Sequence, residues 1–150
     1  MGQQKKVEFN KSLVVLDWTA ISWKAFDYYL KMLAGRNDTI IIMHLTSSVD
    51  FNELNPFVKK VQEALAEVKM DFEEDKIELW IQKIDESEFK DSEKIGDRIV
   101  KALESNSSDM LVFGQSKTNE RSDVKDFVNS PLVGSYIKDN SKANPLFIRE

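Results

Sequence analysis

Short runs of hydrophobic residues alternate along the chain with longer stretches whose apolar residues recur at helical spacing. Four of the runs predict strands, at residues 13–16, 39–45, 110–113 and 145–148. A fifth strand is predicted around Ile77, Leu79 and Ile81, where apolar and polar residues alternate. The alternation gives this strand one wetter face, which places it near an edge of the sheet.

Helices are predicted between these strands. The first covers residues 20–34, the second opens with Asn55 as cap and Pro56 as first helical residue, and the third carries Ile95, Ile99 and Leu103. After the fourth strand a polar stretch to about Asp123 leads into helical residues up to about 141.

Strict alternation of strand and helix predicts parallel strands joined by right-handed crossovers. The fold class is therefore α/β, a three-layer doubly wound sandwich with one five-stranded parallel sheet, for which we expect the order 3-2-1-4-5. No repeat or linker divides residues 1–150, which predicts one domain.

This strand order predicts a ligand crevice between the carboxyl ends of the first and fourth strands. Asp17 and Thr19 follow the first strand, and Gly114 and Lys117 follow the fourth. Asp17 could accept hydrogen bonds from a ribose or an adenine, or it could cap the next helix. Thr19 could bind a phosphate or be the cap itself, and both alternatives stay open for each residue.

The composition of the chain excludes or disfavours several classes of function. The 150 residues carry a formal net charge of −5, which argues against binding along a nucleic-acid backbone. The chain has no cysteine, which excludes disulfides and thiol catalysis and suits the reducing cytoplasm. It has a single histidine, His44, so a catalytic metal centre is disfavoured. No apolar run is long enough to span a membrane, and the N-terminal residues lack a hydrophobic signal region.

The sequence does not match the known motifs of several nucleotide-binding and phosphoacceptor domains. Gly114 to Thr118 resembles the end of a P-loop, but Ser116 rather than Gly precedes Lys117, and no Gly-x-Gly-x-x-Gly occurs. A phosphoacceptor receiver domain would need a second acid beside Asp17. Gly134 and Ser135 begin a helical turn and would either bind an anion or allow close helix–sheet packing.

These residues together resemble a universal stress protein domain. The resemblance is carried, in chain order, by Leu13-Val14-Val15-Leu16-Asp17-Trp18-Thr19, His44-Leu45, Gly114, Gly134-Ser135 and Asn144-Pro145-Leu146-Phe147-Ile148-Arg149. It spans nearly the whole chain and implies an adenine nucleotide alpha-hydrolase-like fold. It also implies a homodimer in which the terminal edge strand, with Leu146, Phe147 and Ile148, pairs antiparallel across a two-fold axis.

The resemblance further implies a site for ATP or AMP, with Mg²⁺ accompanying ATP. ATP-binding members of the family carry Gly-x-x-Gly, a spacer and Gly-Ser or Gly-Thr. Carried over, Asp17 would contact the ribose or adenine and the Leu45 backbone the adenine edge. The phosphates would be held by Gly114, Gly134 and Ser135, with Thr19 and Lys117 as further candidate ligand-binding residues.

The ATP motif is degenerate in this chain. Lys117 stands where the second glycine is expected, and it either blocks the turn or contributes charge to the phosphates. The spacer between Lys117 and Gly134 is longer than in the family. It adds the acidic residues Glu120, Asp123 and Asp126, which repel phosphates. Residues 120–130 are predicted to be more mobile than the rest, because they offer little apolar surface to bury.

Three functions remain. The first is a cytoplasmic, dimeric stress-response domain that binds an adenine nucleotide weakly. The second is a domain of the same fold that acts through protein contacts alone and uses the longer spacer as its distinguishing surface. A weak nucleotide hydrolase ranks last, because the sequence shows no pair of base and nucleophile; the chain is therefore predicted not to be an enzyme.

Overall fold

Five strands and four helices alternate along residues 10–35 and 37–150, the part of the chain that the computed structural model describes. The strands are β1 (Lys11–Val15), β2 (Thr39–Thr46), β3 (Ile77–Lys83), β4 (Met110–Gln115) and β5 (Asn144–Arg149). The helices are α1 (Ala20–Met32), α2 (Phe51–Glu67), α3 (Ser92–Ser105) and α4 (Pro131–Asn140), with a 3₁₀ turn (Glu86–Lys90) before α3. The N-terminal residues examined for a signal region lie outside the described residues.

The strands form one parallel sheet in the order β3-β2-β1-β4-β5, which confirms the predicted topology. In the centre of the sheet Val15 of β1 lies between Met43 of β2 and Phe113 of β4. The chain winds from β1 towards β3 in its first half and towards β5 in its second. The carboxyl ends of β1 and β4 therefore flank the predicted crevice.

Helices cover both faces of the sheet. The apolar run of β1 is buried on both sides, with Leu13 and Val15 in the core under α3 and α4, and Val14 in the core under α1 and α2. Each helix buries one stripe, such as Phe26 and Tyr29 of α1. Burial of a large apolar side chain stabilises the fold by roughly 1.5–3 kcal/mol, so this packing fixes the positions of the strand ends.

The predicted start of the second helix is wrong. Helix α2 begins at Phe51, and the side chain of Asp50 caps it by accepting from the backbone N–H of Asn52 at 2.8 Å. Asn55 and Pro56 therefore lie inside the helix. A carboxylate is at least as good a cap as an amide, and Asp50 stands earlier in the chain, so the helix starts there.

The fourth helix is shorter than the pattern predicts. It begins at Pro131, where the Ser130 hydroxyl accepts from the backbone N–H of Val133 at 3.2 Å. Pro131 suits the first helical position because its missing N–H would have no partner there. Residues 121–129 form turns and irregular segments instead of the expected helical turns.

Candidate functional site

Asp17 lies at the carboxyl end of β1 and is fully buried. Its Oδ1 accepts hydrogen bonds from the backbone N–H and the hydroxyl of Thr19. Its Oδ2 accepts from the backbone N–H groups of Val128 and Asn129, both at 3.0 Å. Both carboxylate oxygens are therefore bonded to donors of the chain itself.

Thr19 is the N-cap of α1. Its Oγ1 accepts from the backbone N–H of Ser22 at 3.3 Å, while its hydroxyl hydrogen points to Asp17. The sequence left open whether Asp17 or Thr19 caps the helix. In the structure Thr19 is the cap, and the carboxylate of Asp17 orients the Thr19 hydroxyl. Thr19 is also buried, so neither side chain reaches solvent.

Residues 126–130, here called the crossing segment, fill the crevice between β1 and β4. The Asn129 side chain donates to the Val15 carbonyl at 3.3 Å, and the Asn129 carbonyl accepts from the backbone N–H of Ser116 at 2.8 Å. Val128 is buried in the core under α3 and α4. The crossing segment thus bonds to the ends of both strands that flank the crevice.

The crossing segment also reaches the end of β2 through Asp126. Its Oδ2 accepts from the Thr46 hydroxyl and the Ser47 backbone N–H, each at 3.0 Å, and its Oδ1 accepts from the Ser47 hydroxyl at 2.7 Å. Asp126 has φ 55°, in the left-handed region, which costs a residue with a side chain roughly 1–3 kcal/mol. The three hydrogen bonds offset that strain.

The start of α4, where the sequence placed a phosphate, has its backbone donors in use. Pro131 has no N–H, and Leu132 donates to the Asn119 side chain at 2.9 Å. The N–H of Gly134 donates to the Ser130 carbonyl at 3.0 Å. A helix start binds an anion through unpaired N–H groups, and the first turn of α4 presents none.

The two candidate glycines each remove a steric contact. A Cβ on Gly114 would lie 2.2 Å from the Ile21 carbonyl oxygen, so this glycine lets the first turn of α1 approach β4. A Cβ on Gly134 would lie 2.3 Å from Oε1 of Gln115, the tip of a flexible side chain. A larger residue at position 114 would therefore collide with fixed backbone. A larger residue at position 134 would displace only a side chain that can move.

A model of the universal stress protein family matches residues 8–136, most of the chain. The chain belongs to the universal stress protein family. A search of curated proteins gives no significant match.

Solved structures share the fold of this universal stress protein domain. The universal stress protein UspA from Lactobacillus plantarum is 16% identical, with 96% of this chain and 100% of that chain covered and a TM-score of 0.56. A universal stress protein in complex with cAMP is 12% identical, with 93% and 96% covered and a TM-score of 0.58. A third, from Archaeoglobus fulgidus, is 11% identical, with 95% and 98% covered and a TM-score of 0.52. At these identities the likeness shows the fold alone.

The sheet brings the predicted site residues of this family member to one edge. Leu45, with its side chain buried in the core, lies one residue before the end of β2, and Gly114 lies one residue before the end of β4. Lys117 is exposed in the turn after β4, and Ser135 is exposed on α4. Their contacts with a nucleotide stay predictions, as does that of Asp17.

Sequence reasoning missed three residues of this site. Asn129 and Asp126 anchor the crossing segment, and Glu150 accepts from the backbone N–H of Lys117 at 3.0 Å. The longer spacer was the available signal for the first two, but its acids were considered only as charges that repel phosphate. Nothing in the motif pointed to Glu150.

His44 is a buried residue of the α1 and α2 side of the sheet. Its Nδ1 donates to the Leu16 carbonyl at 2.9 Å, and its ring stacks on Phe57 with centroids 3.7 Å apart. Burial lowers the pKa of His44, because the charged ring would lack the hydration it has in water; the hydrogen bond to Leu16 and the charges of Asp17 and Asp126 offset this only in part. This geometry supports a structural role for His44.

Residues 10–35 and 37–150 contain no group of three or more acidic or histidine side chains arranged to hold a metal ion. None of the helices there is long and apolar enough to cross a membrane.

Proposed function

We propose that this universal stress protein domain works through protein contacts and that its crevice does not take up an adenine nucleotide. The observation that carries the proposal is the state of Asp17, whose two carboxylate oxygens accept four hydrogen bonds from the chain. A ribose hydroxyl could bond to Asp17 only after Val128 and Asn129 had left. Their departure would leave buried groups unpaired, at roughly 1–3 kcal/mol for each.

The other donors expected to hold phosphates support the same proposal. The backbone N–H of Lys117 donates to Glu150, and those of Leu132 and Gly134 donate to Asn119 and Ser130. A phosphate would have to replace each of these acceptors. The site residues do not fit ATP with Mg²⁺ in this arrangement.

The longer spacer offers a surface for protein contacts instead. It forms one wall of an open groove of about 720 Å³, whose other wall is the 3₁₀ turn Glu86–Lys90. Phe89 and Val124 provide apolar lining, and Leu132, which is 54% exposed, lies at its side. Partly apolar grooves with a polar and charged rim are typical of protein interfaces, so a peptide or a protein loop is the partner we propose for it.

We infer a homodimer formed through β5. The backbone N–H groups of Asn144 and Glu150 donate towards β4, so the alternate residues Pro145, Phe147 and Arg149 direct their backbone groups to the open edge. Proline is tolerated at an outward-facing edge position because no ladder bond is lost. The unpaired N–H groups of Phe147 and Arg149 suit antiparallel pairing with a second copy.

Arg149→Pro tests the dimer. It removes one outward N–H and leaves the bonds to β4, whereas the matched Arg149→Ala keeps the N–H and removes only the side chain. We expect light scattering at micromolar concentration to show a dimer for the parent and Arg149→Ala, and weaker association for Arg149→Pro. A strictly monomeric parent would contradict the inference.

Native mass spectrometry with ATP, AMP or cAMP, with and without Mg²⁺, tests the closed crevice. We expect no stoichiometric complex with the parent protein. A one-to-one complex of the parent that also shifts the NMR signals of the Val128 and Asn129 amides would overturn the proposal, because it would show that the nucleotide reaches Asp17.

Weak adenine-nucleotide binding is the second candidate. A family structure in complex with cAMP favours it, together with the exposed position of Lys117 at the rim of the crevice. Lys117→Gly separates the two roles considered for this side chain. Tighter ATP binding would show that Lys117 blocks the turn, and weaker, less salt-dependent binding would show that it neutralises phosphate.

We also propose a non-enzymatic role in stress response, located in the cytoplasm. The absence of cysteine supports the reducing compartment. An assay of ATP hydrolysis with the purified protein tests the first point, and turnover that rises in proportion to the concentration of the protein would contradict it.

A further inference from the structure

The turn after β4 holds a carboxylate supplied by the far end of β5. Oε1 of Glu150 accepts from the backbone N–H of Lys117 at 3.0 Å and from the Ser116 hydroxyl at 3.2 Å. Oε2 of Glu150 lies 3.6 Å from Nη1 of Arg121. A backbone N–H, a hydroxyl and a guanidinium therefore converge on one oxyanion.

The donors are held by contacts that do not involve Glu150. Ser116 is buried, and its backbone N–H donates to the Asn129 carbonyl. The Arg121 guanidinium is fixed by two hydrogen bonds of 3.0 Å to the Asp123 carboxylate, and its Nη1 lies 3.4 Å from Oγ of Ser116. The site thus stays organised when the carboxylate of Glu150 is removed.

The side chain of Glu150 can leave without unravelling β5. Its backbone N–H donates to the Gln115 carbonyl at 2.9 Å, so the main chain stays in the sheet while the side chain rotates. The hydrogen bond from Lys117 is the main cause that lowers the pKa of the Glu150 carboxyl, so the group is an anion at neutral pH. The side chain is 37% exposed, which leaves water access to it.

We propose that Ser116, Lys117 and Arg121 form an oxyanion site whose resident occupant is the Glu150 carboxylate, a tethered competitor that a tetrahedral oxyanion such as phosphate must displace. Tethering gives Glu150 a high effective concentration at the site, so the parent protein binds external phosphate weakly. The site lies at the rim of the crevice. Its use requires no movement of Asp17 or the crossing segment, and the proposal does not depend on the closed crevice.

Glu150→Ala tests the competition with inorganic phosphate as the probe. NMR titration at constant ionic strength follows the backbone amide of Lys117. We expect phosphate to bind about tenfold or more tightly to Glu150→Ala than to the parent. Glu120→Ala is the matched control, because it removes the same charge from the segment after β4 that carries Lys117 and Arg121, and it should leave the affinity near that of the parent.

Adding Arg121→Ala to Glu150→Ala should cancel the gain. The proposal is overturned if the parent, Glu120→Ala and Glu150→Ala bind phosphate equally, or if none of them shifts the Lys117 amide. Equal gains for Glu120→Ala and Glu150→Ala would also overturn it, because they would show a general charge effect.

ATP in place of phosphate separates this site from the crevice. If ATP is held at the rim by its phosphates, as the oxyanion site requires, it should shift the NMR signal of the Lys117 amide in Glu150→Ala. The signals of the Val128 and Asn129 amides should then stay unchanged. Shifts at Val128 and Asn129 in the parent would instead overturn the closed crevice. The two proposals therefore fail by different signals.

Discussion

Two carboxylates accept backbone N–H groups at the carboxyl edge of the sheet, one inside the crevice and one at its rim. Asp17 is fully buried, whereas the Glu150 side chain is 37% exposed. Water can replace the donors of Glu150 but cannot reach those of Asp17, so only the buried contact leaves unpaired groups when it is broken. The same kind of hydrogen bond therefore holds the fold together at Asp17 and can be exchanged at Glu150.

Asp17→Ala should have the largest effect on stability. It leaves the buried N–H groups of Val128 and Asn129 without an acceptor, and the free energy of unfolding should fall by at least about 3 kcal/mol. Denaturant titration measures the loss. Asp17→Asn, which keeps one acceptor oxygen, should lose less, and a loss below about 1 kcal/mol for Asp17→Ala would contradict the assignment.

Hydrogen exchange sharpens the contrast within the spacer of the parent protein. The predicted mobility of residues 120–130 stays a prediction, and we now expect it only in the first half. The amides of Val128 and Asn129 should exchange with the slow class of the strands, because both are buried and bonded to Asp17, while that of Ser122 should exchange early. Equal rates across the spacer would be inconsistent with a closed crevice.

Gly114→Ala and Gly134→Ala form a matched pair with a smaller expected effect. The new methyl on Gly114 meets the backbone of Ile21, so α1 must shift, and stability should fall by about 1–3 kcal/mol. The methyl on Gly134 meets the flexible side chain of Gln115 and makes an ordinary contact with Phe147. Alanine favours the helix by about 1 kcal/mol, so that variant should be neutral or more stable. Equal losses for both variants would contradict a purely packing role for Gly114.

The sheet could be predicted from the sequence because uninterrupted apolar runs such as β1 and β4 report burial on both faces directly. The order 3-2-1-4-5 is one of the doubly wound orders that right-handed connections allow, and the structure has this order. The contents of the crevice could not be predicted in the same way. Val128 and Asn129 reach Asp17 across more than a hundred residues, and they do so with backbone N–H groups that almost every residue possesses, so no residue type signals the contact. The start of α2 was misplaced because Asp50 and Asn55 are both good caps, and the helix begins at the earlier one.

His44 should make the interior of the protein sensitive to acid. Its pKa in the folded state lies below the ordinary value of 6.5, so between these two values the unfolded chain binds more protons. The stability due to neutral His44 is complete above about pH 6.5 and is lost as the pH falls towards the folded pKa. Unfolding measured from about pH 7.5 to about pH 5 should show a steeper loss for the parent than for His44→Asn, whose amide can still donate to Leu16. Parallel curves would contradict this assignment.

Glu150→Gln should change stability least, although it removes a carboxylate that accepts the same type of backbone N–H as Asp17 does. The pKa of Glu150 is lowered in the folded state, chiefly by the hydrogen bond from Lys117, so its contribution is present above the unfolded pKa and is lost as the pH falls through the folded pKa. Solvent screening keeps that contribution small, because water and the glutamine oxygen can both replace it. Denaturant midpoints of the parent and Glu150→Gln should therefore nearly coincide at neutral pH and converge in acid. A loss as large as that of Asp17→Ala would show that Glu150 is part of the fold rather than a replaceable occupant of the rim.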